Sequence, residues 1–155
     1  MEQKTKIDAE SGKQEMIITR EFELPVALLF KAYVEPEIIT QWMGTKVLKL
    51  ENKKYGSYEF ETSDAKGNLA FVATGVIHEF VPEEKITRTF EMEQTPFGVQ
   101  LEFLTFEKLT DDRSKLTMHV IYKSVGVRDQ ILSLPFAKGI NMAHSRLEDI
   151  VKQIK

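Results

Sequence analysis

Along the middle of this chain apolar and polar residues alternate, and towards both ends the alternation gives way to a helical period. In residues 15–23, Met16, Ile18 and Phe22 share one side of a predicted strand with Arg20, since a period of two marks an extended segment with one buried face. Pro25 then opens a predicted helix with Val26, Leu29, Phe30 and Tyr33 on its apolar side. Pro36 closes that helix by restricting Glu35. A second short helix, 37–43, turns Ile38, Ile39 and Trp42 inward and stops at Gly44. Ahead of these elements, residues 5–9 read as a short strand and 10–13 as a turn.

From 46 to 123 the pattern predicts sheet. Residues 46–51, 57–62, 69–81, 86–93, 99–108 and 115–123 read as strands, with turns at 53–56, 64–68, 82–85, 95–98 and 111–113. Tyr58, Phe60 and Thr62 face one way; so do Ile86, Phe90 and Met92 with Arg88, and Leu116, Met118, Val120 and Tyr122. In 99–108 the alternation slips between Phe103 and Leu104, which predicts a β-bulge that bends the sheet. The last stretch, 133–155, carries Phe136, Ile140, Ala143, Leu147, Ile150, Val151 and Ile154 on one helical face. Ser133 is its predicted cap, with Pro135 in the first turn. The crossover through the two short helices leaves the 15–23 strand free to sit at a sheet edge. The predicted architecture is α+β: a curved antiparallel sheet, all helices on one face, and the interior between sheet and terminal helix.

Composition narrows the class. A chain of 155 residues predicts one domain burying roughly two-thirds of its unfolded surface. Residues 15–155 form that domain, and 1–14 are expected to be a partly flexible segment or an edge strand. The chain has no cysteine, which excludes disulfides, cysteine zinc sites and thiol nucleophiles, and fits a reducing compartment. A formal charge of −3 with interspersed signs gives no basic footprint for nucleic acid. Residues 1–14 lack the apolar core of a signal peptide, and no apolar run approaches the roughly 20 residues of a membrane span. The expected location is the cytoplasm.

Several motifs together resemble a known family. Residues 18–25 (ITREFELP), Leu29-Phe30 with Ala32, and residues 35–42 (EPEIITQW) resemble the start of the activator-of-heat-shock-ATPase homologue family of the START/Bet v 1-like (SRPBCC) superfamily. The resemblance continues through Gly67-Asn68, Phe71, Gly75-Val76, Pro82, residues 89–91, Ser124-Val125, Arg128-Asp129, Gly139 and Arg146-Leu147. Departures are a single glycine in Tyr55-Gly56-Ser57, Pro135 before the terminal helix, and Glu35 where an aspartate is common. The resemblance implies a helix-grip fold, the architecture that the periodicity predicts with a sheet of six to seven strands. It also implies a spread of roles: carriage of lipids, sterols or polyketides, cyclisation or hydrolysis, and chaperone binding.

Catalytic motifs are scarce. His78-Glu79 starts like a zinc protease helix, but Pro82 occupies the second histidine position and the segment reads as strand. His119 alternates with Met118 and Val120 and points outward, and His144 borders the terminal helix's apolar stripe. No nucleophile elbow or phosphate loop occurs, so no catalytic residue, metal site or cofactor is assigned. Arg20 and Arg88 fall on inward faces, where each guanidinium needs a carboxylate, carbonyls, a ligand or a route to solvent. His78, sharing a face with Val76 and Phe80, is the one internal base on offer. Gly139 in the terminal helix costs about 1 kcal/mol relative to alanine, and Ala143 follows one turn later, so small residues stand where large ones would close the interior. Oriented polar groups among apolar walls make a ligand pocket. The candidate pocket residues are Trp42, Tyr58, Phe60, His78, Arg88, Phe90, Met118, Phe136, Ile140 and Ala143. The expected function is binding of a hydrophobic small molecule such as a lipid, polyketide or aromatic metabolite. The alternatives are a cyclase or hydrolase using the same pocket, and an interaction protein with a chaperone partner.

Overall fold

The structure, a computed structural model, describes residues 4–63 and 66–154; positions 64 and 65 of the turn expected at 64–68 lie outside the described residues. In chain order the elements are β1 (Lys6–Asp8), β2 (Glu15–Phe22), α1 (Val26–Val34), α2 (Pro36–Met43), β3 (Lys46–Leu50), β4 (Ser57–Ser63), β5 (Leu69–Val81), β6 (Lys85–Met92), β7 (Val99–Thr110), β8 (Arg113–Ile121), α3 (Val125–Ser133) and α4 (Phe136–Ile154). The strands form one antiparallel sheet in the order β1-β2-β8-β7-β6-β5-β4-β3, and α4 packs across its inner face. This is the helix-grip arrangement, with eight strands rather than six or seven.

The strand expected at an edge is interior. The β3-to-β8 meander brings the chain back, and β8 pairs along all of β2, from Glu15 opposite Ile121 to Phe22 opposite Ser114. β1 then covers the other side of β2, with Lys6 opposite Thr19.

Local chemistry sets the helix boundaries. Glu35, extended ahead of Pro36 (φ −96°, ψ 116°), separates α1 from α2. Gly44 ends α2 at φ 65°, its N–H donating to the Thr40 carbonyl, a left-handed stop that suits a residue without Cβ. The terminal helix starts at Phe136, not Ser133, because Ser133 is the last residue of a separate helix, α3, which the periodicity did not show. Ser124 caps α3 by accepting from the Val127 N–H at 3.1 Å. Its buried face holds Arg128 beside Val127 and Ile131, so a charge interrupts the apolar stripe. The Arg128 guanidinium donates to the carbonyls of Glu10 (2.7 Å) and Glu15 (3.0 Å) and to Asp129 (2.8 Å). It thereby fastens α3 to the turn between β1 and β2.

The bulge expected between Phe103 and Leu104 is absent, since β7 stays in register with β8 from Leu101 to Lys108. Glu102, Leu104 and Phe106 are the buried positions. The pattern seemed to slip because the inward residue at 102 is charged and the outward Phe103 is aromatic, packed on the ring of His119 at 5.7 Å. The pairing does shift elsewhere, notably in β5 between Ile77 and Glu79.

Candidate functional site

The space between α4 and the inner sheet face is only partly filled. At one end Phe22, Leu29, Leu116, Leu147 and Val151 pack with no exposure above 1%. At the other end lies a cavity of about 690 Å³. Its walls are mainly apolar. Trp42 and Met43 come from α2, Phe90 and Met92 from β6, Met118 and Val120 from β8, and Phe136 and Ile140 from α4, with Phe71 and Phe97 beside them. Gly139 also faces it, and a Cβ built there meets nothing within 4 Å. Gly139 thus adds no side chain of its own between Phe136 and Ile140, which supply the α4 wall.

Of the pocket residues expected from sequence, Trp42, Arg88, Phe90, Met118, Phe136 and Ile140 line this cavity. Tyr58 and Phe60 are buried on the inner face, and Ala143 packs against the core; none of these three is in the lining. His78 is a correction. It is exposed, and its ring meets that of Tyr55 at 6.3 Å. Ala73 and Ile77 are the inward residues of β5, which puts Val76 and His78 outside. The shift after Ile77 then lets Phe80 pack on Phe30 at 5.6 Å. Val76, His78 and Phe80 look like one face in the sequence only because the shift is invisible there.

The sheet side of the cavity carries a charge-neutral cluster. Arg88 Nε donates to Glu102 Oε1 at 2.9 Å, and Gln100 Nε2 donates to Glu102 Oε2 at 2.7 Å. The Arg88 guanidinium also lies over the Tyr58 ring at 5.3 Å. Tyr58 reaches across β5 to donate from its hydroxyl to the Thr89 carbonyl at 2.5 Å. Gly75 permits this crossing, since a Cβ there would run into both the Thr89 carbonyl and the Tyr58 ring. Tyr33 from α1 and Tyr122, just past β8, also line the cavity. Burial pushes both phenols up; for Tyr33 the nearby Arg88 opposes this and Glu102 adds to it, while for Tyr122 Glu102 adds and Arg128 opposes. Both phenols therefore stand as neutral hydroxyls.

The helix side carries His144, read from sequence as a boundary residue and in fact 2% exposed. It lines the cavity. Its ring meets Phe22 edge-on at 5.6 Å, and its Nδ1 pairs with Thr5 Oγ1 at 2.8 Å. Burial, followed by the neighbouring Arg20 charge, pushes its pKa down to about 3. Arg20 is buried and reaches Glu148 at 3.7 Å, Ser145 Oγ at 3.1 Å and Thr5 Oγ1 at 3.4 Å. Asn141 Oδ1 accepts from the backbone N–H groups of Lys4 and Thr5, so α4 holds the start of the chain through a polar seam.

Sequence reasoning missed Tyr33, Glu102, Tyr122 and His144 as cavity residues. Glu102 had a signal, a charged residue in phase with Leu104 and Phe106 in the middle of the sheet rather than at the strand end, where Lys108 lies. His144 had a weaker one, its place one turn before Glu148 and three residues after Asn141.

A long helix gripping a curved antiparallel sheet over an apolar, partly open interior defines a protein of the START/Bet v 1-like class. Sequence comparison is more specific: the chain belongs to the family described as Activator of Hsp90 ATPase homolog 1-like protein, whose profile matches residues 23–152. No curated protein matches significantly. Among solved structures, a Rhodobacter sphaeroides protein is similar at 18% identity and TM-score 0.84, covering 96% of this chain and 99% of its own. A Mycobacterium smegmatis protein is similar at 17% and 0.82, covering 94% and 95%. An Arthrobacter aurescens protein follows at 12% and 0.84, covering 96% and 91%. At these identities the structures speak for the fold alone. Among the described residues no helix is long and apolar enough to cross a membrane.

Proposed function

We propose that this protein binds a largely apolar small molecule in the cavity between α4 and the sheet. The observation that carries the reading is the cavity of about 690 Å³ with mainly apolar walls, rimmed on the helix side by the exposed Gly139. The cavity is open to solvent on one side, so its apolar walls face water when it is empty, and an apolar occupant gains by removing that surface and its own from water. The polar cluster narrows the chemistry. Glu102 already neutralises Arg88, so a ligand carboxylate finds no free cation there, and the neutral phenols offer hydrogen bonds instead. An overall uncharged lipophile with a few oxygen atoms fits best. The reading of the pocket as an enzyme loses its only nominated base, because His78 lies outside. The family name also supports association with a chaperone, and nothing in the cavity bears on that reading.

Native mass spectrometry of the purified chain tests the proposal. The expected result is a co-purifying mass released on unfolding, or saturable uptake from a lipophile panel. A protein that carries nothing and takes up nothing from an uncharged lipophile panel refutes it.

A further inference from the structure

The neighbours of His144 bear on which of its nitrogens carries the proton. Arg20 can only donate, and its Nη1 has Thr5 Oγ1 at 3.4 Å among its neighbours, beside Ser145 Oγ at 3.1 Å and both Asn141 oxygens at 3.4 Å. Toward the guanidinium Thr5 Oγ1 can only accept, so its own hydroxyl proton has to be given elsewhere. Among the described residues, the acceptor in reach of that hydroxyl proton is His144 Nδ1, at 2.8 Å. A donating Thr5 hydroxyl requires the Nδ1 lone pair to be free, which in a neutral imidazole puts the proton on Nε2. Burial and the Arg20 charge keep the ring neutral. The residue lines the cavity, and among the described residues no hydrogen bond is drawn to Nε2.

We infer that His144 presents an Nε2–H donor to the cavity and reads an acceptor oxygen, such as a carbonyl, on the side of the ligand that faces α4. The inference rests on the cavity-binding reading and adds a specificity-determining residue to it. It also assigns His144 a role other than base: in this tautomer Nε2 has no lone pair with which to take a proton. The chain of cause runs from the buried Arg20, through the orientation of one threonine hydroxyl, to the chemistry the pocket selects.

A shape-matched pair separates this inference from the reading beneath it. Fluorene and 9-fluorenone differ by a methylene and a carbonyl, and Trp42, the chain's single tryptophan, lines the cavity and reports occupancy by quenching. The wild-type protein is expected to bind the ketone at least about fivefold more tightly, the worth of one net hydrogen bond. The preference should vanish in His144→Phe and return in part in His144→Gln, whose amide again offers a donor. Nitrogen-15 spectra of the histidine rings should show His144 protonated at Nε2. A preference that survives His144→Phe, or a ring protonated at Nδ1, overturns the inference. Equal binding of both compounds by the wild type sinks this inference alone. Binding of neither sinks it together with the cavity reading.

Discussion

Gly139 is where stability and binding should part company. In wild type its amide donates to the Pro135 carbonyl at 3.1 Å, so the backbone is already helical, and a Cβ added there meets nothing within 4 Å. Gly139→Ala should therefore gain about 1 kcal/mol from helix propensity alone, raising Tm by about 2–4 °C for a chain of this size. Gly139→Phe goes further. An aromatic side chain brings about 150–250 Å² of surface; if about 100 Å² of it is covered by the cavity wall, burial contributes about 2.5 kcal/mol, less about 1 kcal/mol for ordering the ring. The variant should be at least as stable as wild type and should lose affinity for any cavity ligand by at least tenfold, because the ring and the ligand compete for one space. Urea denaturation and ligand titration on the same preparations read both quantities. A destabilised Gly139→Ala protein would show that the space beside the helix is not open. A stable Gly139→Phe protein that keeps full ligand affinity would show that the ligand sits elsewhere.

Two further outcomes follow from the buried charges. Arg88→Met leaves Glu102 buried without its cation and should cost about 3–5 kcal/mol, whereas Arg88→Met combined with Glu102→Leu should recover most of that; urea unfolding of the singles and the double checks it, and simply additive losses would refute a coupled pair. His144 makes stability depend on pH. Its folded pKa lies near 3 against 6.5 for the unfolded chain, so between those values the unfolded state binds a proton the folded state refuses. Stability is full above about pH 6.5 and falls with acid, by up to about 1.4 kcal/mol per pH unit, for a total on the order of a few kcal/mol. Unfolding curves at several pH values for wild type and His144→Phe isolate this contribution, and parallel pH dependences would refute it.

Much of the fold was legible because one face of each element is apolar. The stripe from Phe136 to Val151, the Tyr58–Phe60 pair and the Leu116–Val120 run all read correctly, since burial rewards a strict period. The errors fall where a charge is buried or a strand slips. Glu102 and Arg128 are polar at positions whose neighbours are apolar, so the first imitated a bulge and the second hid α3. At His78 the error is geometric: a pairing shift reverses which side a residue faces, and no residue type announces it. The cavity was readable in outline from Gly139 and from the aromatic and methionine residues around it. Its polar recognition groups were not, because Arg20, Thr5 and His144 meet only in three dimensions.

The place of β8 between β2 and β7 also sets when the molecule can finish folding. Glu15 pairs with Ile121 and Phe22 with Ser114, contacts that span most of the sequence. The meander from β3 onward can assemble from near neighbours, but β2 must wait for β8 to be synthesised, and the Asn141 and His144 contacts to residues 4 and 5 must wait longer still. Such long-range closure slows folding relative to a chain built from local pairings. On the ribosome it leaves β2 without its partner strand until β8 has emerged, the interval in which a nascent chain of this design is most exposed to aggregation.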